Sequence, residues 1–306
     1  MVHVYLPIAG VSVDVVLILV VGAGVGFLSG VFGVGGGFLS TPLLIFLGVP
    51  SDVAVATQAD QLVGSSVSGV LAHWQRGNVD LRMGSVLLVG GLAGSALGVA
   101  AFSLLRQWGH FDLVVAILYV IFLGLIAGMM LTESLSTILR RTRAVAARSR
   151  LHTHSWLHGL PLRMRFPRSR LYISAILPLG LGFVVGVLVA IMGVGGGFIM
   201  VPAMIYLLGM PSRMVAGTSL FQIIFVTAAT TWMQAITTQT VDIYLSVLLL
   251  VGGVVGAQFG ARYAHRLRPE YGRLGLAIVV LLVCAKVAID LGVSPNDVYS
   301  IETDSP

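Results

Sequence analysis

The chain has 306 residues, of which 57% are hydrophobic, only 10% are charged and 38 are glycine. A soluble domain carries about 25% charged residues and about 7% glycine, so this chain lacks the polar surface to cover a water-facing globule of its length. That argues against a soluble enzyme, a disordered chain and a nucleic-acid binder, and for a polytopic α-helical membrane protein.

The sequence pI of about 9.9 does not signal nucleic acid, because the charge is concentrated. Nine of the 18 Lys and Arg residues fall between Arg140 and Arg170. Cys284 is the single cysteine, which leaves no internal disulfide or multi-cysteine metal site, and its apolar surroundings suit a buried small hydrophobe. The first 16 residues hold no Lys or Arg. The positive n-region of a cleavable signal peptide is therefore missing, and the first hydrophobic segment is expected to remain.

Apolar runs with polar flanks give ten predicted segments. In chain order they are 13–32, 37–49, 53–74, 83–105 and 112–132, then 172–192, 197–210, 214–236, 243–264 and 272–292. The segments beginning at Gly37 and Gly197 are short for a full crossing, so they read as half-helices or arms of re-entrant hairpins. The implied organisation is a first transmembrane repeat over 1–132, a basic loop over 133–171, a second, inverted repeat over 172–292 and a polar tail over 293–306. The expected fold class is all-α and polytopic, with broken or short helices at the glycine-rich motifs.

The positive-inside rule sets the orientation. With the Arg-rich loop in the cytoplasm, that side also receives Arg76, Arg82, Arg213, Arg262, Arg266, Arg268 and Arg273. The other side receives Arg106, with Lys286 inside the last segment. Both termini are then expected outside and the central loop inside. The loop's arginines fix topology and rest on anionic lipid heads at about 1 kcal/mol per charge. His152, His154 and His158 lack Cys or acidic neighbours, so they read as part of a solvated basic loop and no metal is expected.

The chain repeats itself. At an offset of 160, Gly33-Val34-Gly35-Gly36-Gly37-Phe38 falls on Gly193-Val194-Gly195-Gly196-Gly197-Phe198, and Pro42 on Pro202. After one inserted residue, Pro50, Thr57 and Gln61 meet Pro211, Thr218 and Gln222. After another, Asp80 meets Asp242, and Gly90, Gly91, Gly94 and Gly98 meet Gly252, Gly253, Gly256 and Gly260. Each unit holds five segments. An odd number sends the second unit into the membrane upside down, a recurring build of secondary transporters with the substrate site at the repeat interface.

Each glycine motif interrupts an apolar run, and each glycine costs a helix about 1 kcal/mol against alanine. Irregular backbone at membrane depth survives only inside protein or beside a watery cavity. An unwound turn there presents N–H groups at the start of the next half-helix, which suits an anion. The alternative is close helix packing or a tight hairpin turn; duplication at equivalent places favours the anion site. The site glycines are Gly33, Gly35, Gly36 and Gly37, with Gly193, Gly195, Gly196 and Gly197. A dinucleotide fingerprint is excluded because no strand is expected before either motif.

With the paired Gly-Val-Gly-Gly-Gly-Phe motifs, the Thr and Gln positions after each, and the basic central loop, the chain resembles the sulfite exporter TauE/SafE family of bacterial membrane proteins between Val13 and Leu291. The resemblance implies an inner-membrane transporter of small sulfur-containing or carboxylated anions, with sulfite, sulfoacetate and related organosulfonates as typical substrates.

Thr57, Gln58, Asp60 and Gln61 in the third segment, and Thr218, Ser219 and Gln222 in the eighth, complete the candidate substrate site. Hydroxyl and amide groups at bilayer depth need partners, either from neighbouring helices or from an oxyanion. Asp60 stands apart because its repeat counterpart is Phe221. It is a candidate carrier for a coupling proton, or a partner for His73 or Arg76. Consecutive Gly-x-x-x-Gly spacings over Gly90–Gly98 and Gly252–Gly260 serve helix packing.

The resulting reading is a secondary transporter exporting a small anion by alternating access, with no catalytic residues, no metal and no cofactor. A passive anion channel is the alternative. A membrane-embedded enzyme is a weaker one, because the segments offer no His/Glu cluster. With the cytoplasm negative, outward movement of one negative charge is favourable by about 2.3 kcal/mol per 100 mV, so export needs no nucleotide-driven step.

Overall fold

A computed structural model describes residues 3–32, 37–140, 162–169, 171–264 and 269–292. Gly33, Gly35 and Gly36, the histidines and most arginines of the central loop, and the acidic tail lie outside the described residues. Among those described, the chain forms ten helices and two short hairpins. The first unit has strands β1 (His3–Leu6) and β2 (Val11–Asp14). Its helices are α1 (Val15–Phe32), α2 (Gly37–Phe46), α3 (Ser51–Gln75), α4 (Leu81–Gln107) and α5 (Phe111–Arg140). The second has strands β3 (Arg163–Phe166) and β4 (Leu171–Ser174). Helices α6 (Ile176–Met192), α7 (Gly197–Tyr206), α8 (Ser212–Thr237), α9 (Ile243–Ala264) and α10 (Pro269–Gly292) follow.

Among the described residues, five stretches are long and apolar enough to cross a bilayer: Leu81–Gln107, Phe111–Thr132, Met214–Thr237, Ile243–Gly260 and Gly275–Gly292. The protein is an α-helical membrane protein. Helices α2 and α7 have 10 residues each. At 1.5 Å per residue they cover about half of a 30 Å hydrocarbon layer, in line with the half-helix expectation.

The hairpins extend the internal repeat upstream of the glycine motifs. His3 pairs with Asp14 and Leu6 with Val11; Arg163 pairs with Ser174 and Phe166 with Leu171. The two registers coincide at the offset of 160, and a proline follows the first strand in both (Pro7, Pro167). Four-residue strands carry too little periodic signal to stand out beside a long apolar run, and a segment boundary at 171/172 falls inside the second hairpin. Leu6 and Phe166 are fully buried and anchor equivalent clusters. Leu6 packs with Leu44, Val49, Val53, Leu245 and Leu249. Phe166 packs with Met204, Met210, Met214, Met83 and Leu87.

Helix contacts recur when the two units are exchanged. Helix α1 packs along α9 and α4 along α6, while α5 packs on α10 and α3 on α8. The Gly-x-x-x-Gly stripes make the first two pairings. A methyl group on Gly94 would lie 2.0 Å from the Phe183 carbonyl oxygen, and one on the equivalent Gly256 would lie 2.0 Å from that of Ala23. Only a residue without Cβ permits backbones this close.

Candidate functional site

The second glycine motif breaks the backbone between α6 and α7. Gly193 ends α6 at φ +65°, and Gly196 begins α7 at φ +65°, a left-handed region costly for any residue with a Cβ. A methyl on Gly193 would also meet the Val55 carbonyl oxygen of α3 at 2.5 Å. Side chains from other helices secure the end of α6. Tyr119 donates its hydroxyl proton to the Met192 carbonyl at 2.5 Å, and Gln234 Nε2 donates to the Ala190 carbonyl at 3.0 Å. These satisfy carbonyls that a helix end leaves open. Within the turn, the Gly196 amide donates to Val194 at 2.5 Å and the Gly197 amide to Gly195 at 2.7 Å.

The two motifs meet. Phe38 and Phe198, counterparts in the repeat, stack with ring centroids 4.1 Å apart and planes 5° from parallel. Leu62 of α3 sits between Gly37 and Gly195; a methyl on either glycine would approach its Cδ1 within 2.8 Å. Beside this contact lies a cavity of about 170 Å³, lined from both units. Its polar lining comprises Ser29, Ser65, Ser66 and Ser219 with the backbone of Gly195 and Gly197; Leu62, Phe198 and Ile223 supply apolar wall. Among the described residues the lining holds no charged side chain. Hydroxyls, turn amides and the start of α7 are neutral donors or positive dipole ends; the Ser65 hydroxyl donates to the Leu62 carbonyl at 3.2 Å.

The paired threonines do something else in this structure. Thr57 is fully buried, and its hydroxyl oxygen accepts from the Asp242 amide at 3.1 Å. Thr218, equally buried, accepts from the Asp80 amide at 3.0 Å. Each aspartate lies in the opposite unit from its threonine and caps the helix it precedes. Asp80 accepts from the Arg82 and Met83 amides, and Asp242 from that of Leu245. Each also reaches a hairpin turn of the opposite unit. Asp80 accepts from the Ser169 amide at 3.0 Å and from the Ser169 hydroxyl, and Asp242 from the Ile8 amide at 3.3 Å. The result is a pair of equivalent clamps, each joining a hairpin, a helix cap and a core helix.

The glutamines lie on the same faces of α3 and α8. Gln58 Nε2 donates to Gln61 Oε1, while Gln58 Oε1 and both polar atoms of Gln222 are buried without a hydrogen-bond partner among the described residues. Gln61 faces Gly253 of α9 and Gln222 faces Gly91 of α4, an equivalent pair of contacts. Ser219 turns its hydroxyl to the Ala216 carbonyl at 3.0 Å. Asp60 accepts from the Ser246 hydroxyl of α9 at 2.6 Å; its partner is therefore neither His73 nor Arg76. Thus Gly195, Gly197 and Ser219 line the cavity, whereas Thr57, Gln58, Asp60, Gln61, Thr218 and Gln222 lie in the helix interfaces around it.

A larger hollow of about 360 Å³ opens beside the start of α3, lined by Asp52, Arg106 and Asp112 among others. Its one guanidinium is engaged. Arg106 Nε lies 2.9 Å from Asp52 Oδ2, and Arg106 Nη1 donates to the Thr238 carbonyl at 2.9 Å. An anion there would face two carboxylates.

Comparison with known proteins identifies the lineage. The profile of the family described as "Sulfite exporter TauE/SafE" matches residues 18–287. The chain belongs to this family. Two similar proteins come from Bacillus subtilis (strain 168). "Probable membrane transporter protein YjnA" is 27% identical over 273 residues, covering 87% of this chain and 97% of the relative. "Probable membrane transporter protein YunE" is 26% identical, covering 88% and 95%. A "Probable membrane transporter protein" of Xylella fastidiosa (strain 9a5c) is 27% identical, covering 87% and 95%. No solved structure matches. As a TauE/SafE family member the protein is a membrane transporter.

Several site residues escaped sequence reasoning. Ser29, Ser65 and Ser66 belong to no repeated motif, and a serine in an apolar run is common. Asp80 and Asp242 served only as markers of the repeat. A Val-Asp pair just before a long apolar segment is also a helix-cap signal.

Proposed function

We propose that this TauE/SafE family member is a secondary transporter that exports a small anion across the bacterial inner membrane by alternating access. The substrate class is sulfite, an organosulfonate or a similar small sulfur-containing or carboxylated anion. The observation that carries the reading is the cavity between the two units, in which four serines and the glycines of the α6–α7 turn interrupt an otherwise apolar lining with no charged side chain among the described residues. An oxyanion offers acceptors to its hydroxyls. It also competes for the Gly197 amide of the lining, whose present contact spans only two residues across Gly196.

In this reading the units are inverted repeats, both termini lie outside and the central loop is cytoplasmic, near anionic lipid heads. The equivalent clamps then fall on opposite membrane faces, Asp242 outside and Asp80 inside. Releasing one while holding the other alternates access. Neutral donors suit a carrier because they hold an anion without the deep well that a buried lysine or arginine would create. The Thr and Gln residues of α3 and α8 are proposed to turn towards the substrate as the clamps exchange. A proton is the proposed coupling partner. The protein relocates its substrate without changing it.

The test is a thermal-unfolding screen of purified protein against sulfite, short alkanesulfonates and short carboxylates, followed by counterflow in vesicles. A true ligand at 100 times its dissociation constant stabilises by about 2.7 kcal/mol. Stabilisation by one of these anions, with saturable counterflow, is expected. If only neutral or cationic solutes raise the melting temperature, the anion assignment is wrong; flux without counterflow would make the protein a channel.

A further inference from the structure

The threonine–aspartate clamps that join the units recur in both copies, whereas one helix crossing is polar in one copy and apolar in the other. Asp60 of α3 accepts from Ser246 of α9 at 2.6 Å. The equivalent positions on α8 and α4 are Phe221 and Gly84. There the ring fills the missing side chain's place: a methyl on Gly84 would lie 2.7 Å from Phe221 Cδ1. The same helix crossing is thus held once by a carboxylate and a hydroxyl and once by an aromatic ring on a glycine. Packing does not require the polar version.

Nothing among the described residues neutralises Asp60. Helices α1, α2 and α6 carry no titratable side chain, and neither does Met214–Thr237 of α8. On α5, Tyr119 is committed to Met192. On α9, Tyr244, Arg262 and Tyr263 are exposed, away from the core. Asp242, one turn before Ser246, is a second carboxylate, held by the Ile8 and Leu245 amides. Along α3 itself, Asp52 pairs with Arg106 and His73 is more than three turns away. Asp60 also keeps partial exposure, while Thr57 and Gln58 beside it are sealed.

We propose that Asp60, positioned by Ser246, is the site where the coupling proton binds during transport; this rests on the transporter reading above. A carboxylate within a membrane-spanning helix and without a cationic partner among the described residues marks a candidate proton relay. The serine hydroxyl suits both states because it donates to the carboxylate and accepts from the carboxylic acid. The α3–α9 contact therefore survives protonation while its charge changes. Placing this switch in one unit alone gives the two halves of the cycle different proton requirements.

Two measurements on the full-length protein in lipid vesicles test this. The first is infrared difference spectroscopy between mildly alkaline and mildly acidic pH, without any anion. A protonated-carboxyl band is expected in the wild type, and its loss in Asp60→Asn. The second uses ethanesulfonate, whose own charge does not change in this range, with a trapped pH dye. Proton movement per ethanesulfonate moved is expected in the wild type and should fall to the level of protein-free vesicles in Asp60→Asn. Should Asp60→Asn fail to fold, the double variant Asp60→Phe with Ser246→Gly copies the Phe221–Gly84 packing and carries the same expectations. An identical infrared band with and without Asp60 overturns the proposal, as does wild-type ethanesulfonate flux with no protons. If the wild type moves no ethanesulfonate, that failure counts against the anion reading, and the infrared band alone decides the proton site.

Discussion

Helices α3 and α8 hold equivalent places in the internal repeat, and their common and differing residues play different parts. Thr57 and Thr218 perform one task, accepting the amide of an aspartate from the opposite unit. Asp60 and Phe221 occupy one place and perform two tasks. The matched threonines tie the units together. Where one copy departs, the departure marks what the assembly does not need for folding. Matching positions thus include the clamps and the proposed substrate-site residues, while the departure at Asp60 carries the proposed proton site.

The sharpest way to break this comparison is at the glycine stripes, where the copies agree most closely. Gly94→Ala and Gly256→Ala each place a methyl 2.0 Å from a neighbouring carbonyl oxygen. The helices must part, and a loss of about 3 kcal/mol is expected in both cases. Gly128→Ala, with nothing within 4 Å, should be neutral or gain up to about 1 kcal/mol. Thermal unfolding in lipid nanodiscs measures all three. Equal tolerance at Gly94 and Gly128 would mean that the α4–α6 contact is looser than described.

The next test asks whether equivalent clamps are equally strong. Asp80 accepts from three amides and a hydroxyl, whereas two amides are bound by Asp242. Replacing either by alanine removes a helix cap worth about 1 kcal/mol and strands buried donors at about 1–3 kcal/mol each. Both variants should melt lower, Asp80→Ala lower than Asp242→Ala. The reverse order would show that the Ser169 contacts add nothing.

The smallest effect belongs to a contact without a matching charge pattern in the other copy. Asp52 pairs with Arg106, but its counterpart is Arg213. With the Arg106 side chain 46% exposed, Asp52→Asn should cost about 1 kcal/mol or less, and the loss should shrink further in high salt. A larger, salt-insensitive loss would make this pair part of the scaffold.

Much of the architecture was legible in the sequence because lipid imposes a simple code. Long apolar runs became helices α1 to α10, and the Gly-x-x-x-Gly spacings became the α1–α9 and α4–α6 contacts. The site was less legible. Gly195, Gly197 and Ser219 line the cavity, but Ser65 and Ser66 entered it only through the rotation of α3, which no motif announced. The threonines were conspicuous as a repeated pair. Sequence alone does not distinguish a hydroxyl facing a ligand from one facing an amide 185 residues away. The hairpins were missed because four-residue strands are held by packing of Leu6 and Phe166 more than by local preference.

The stacked rings of Phe38 and Phe198 have one further consequence. A residue in contact with its own counterpart is what an isologous dimer of identical chains produces automatically. The stack therefore has the form of a homodimer seam preserved inside a single polypeptide. Since each ring meets its own counterpart, the stack lies where an exchange of the two units would leave the molecule unchanged, and a change at either ring reaches both halves at once.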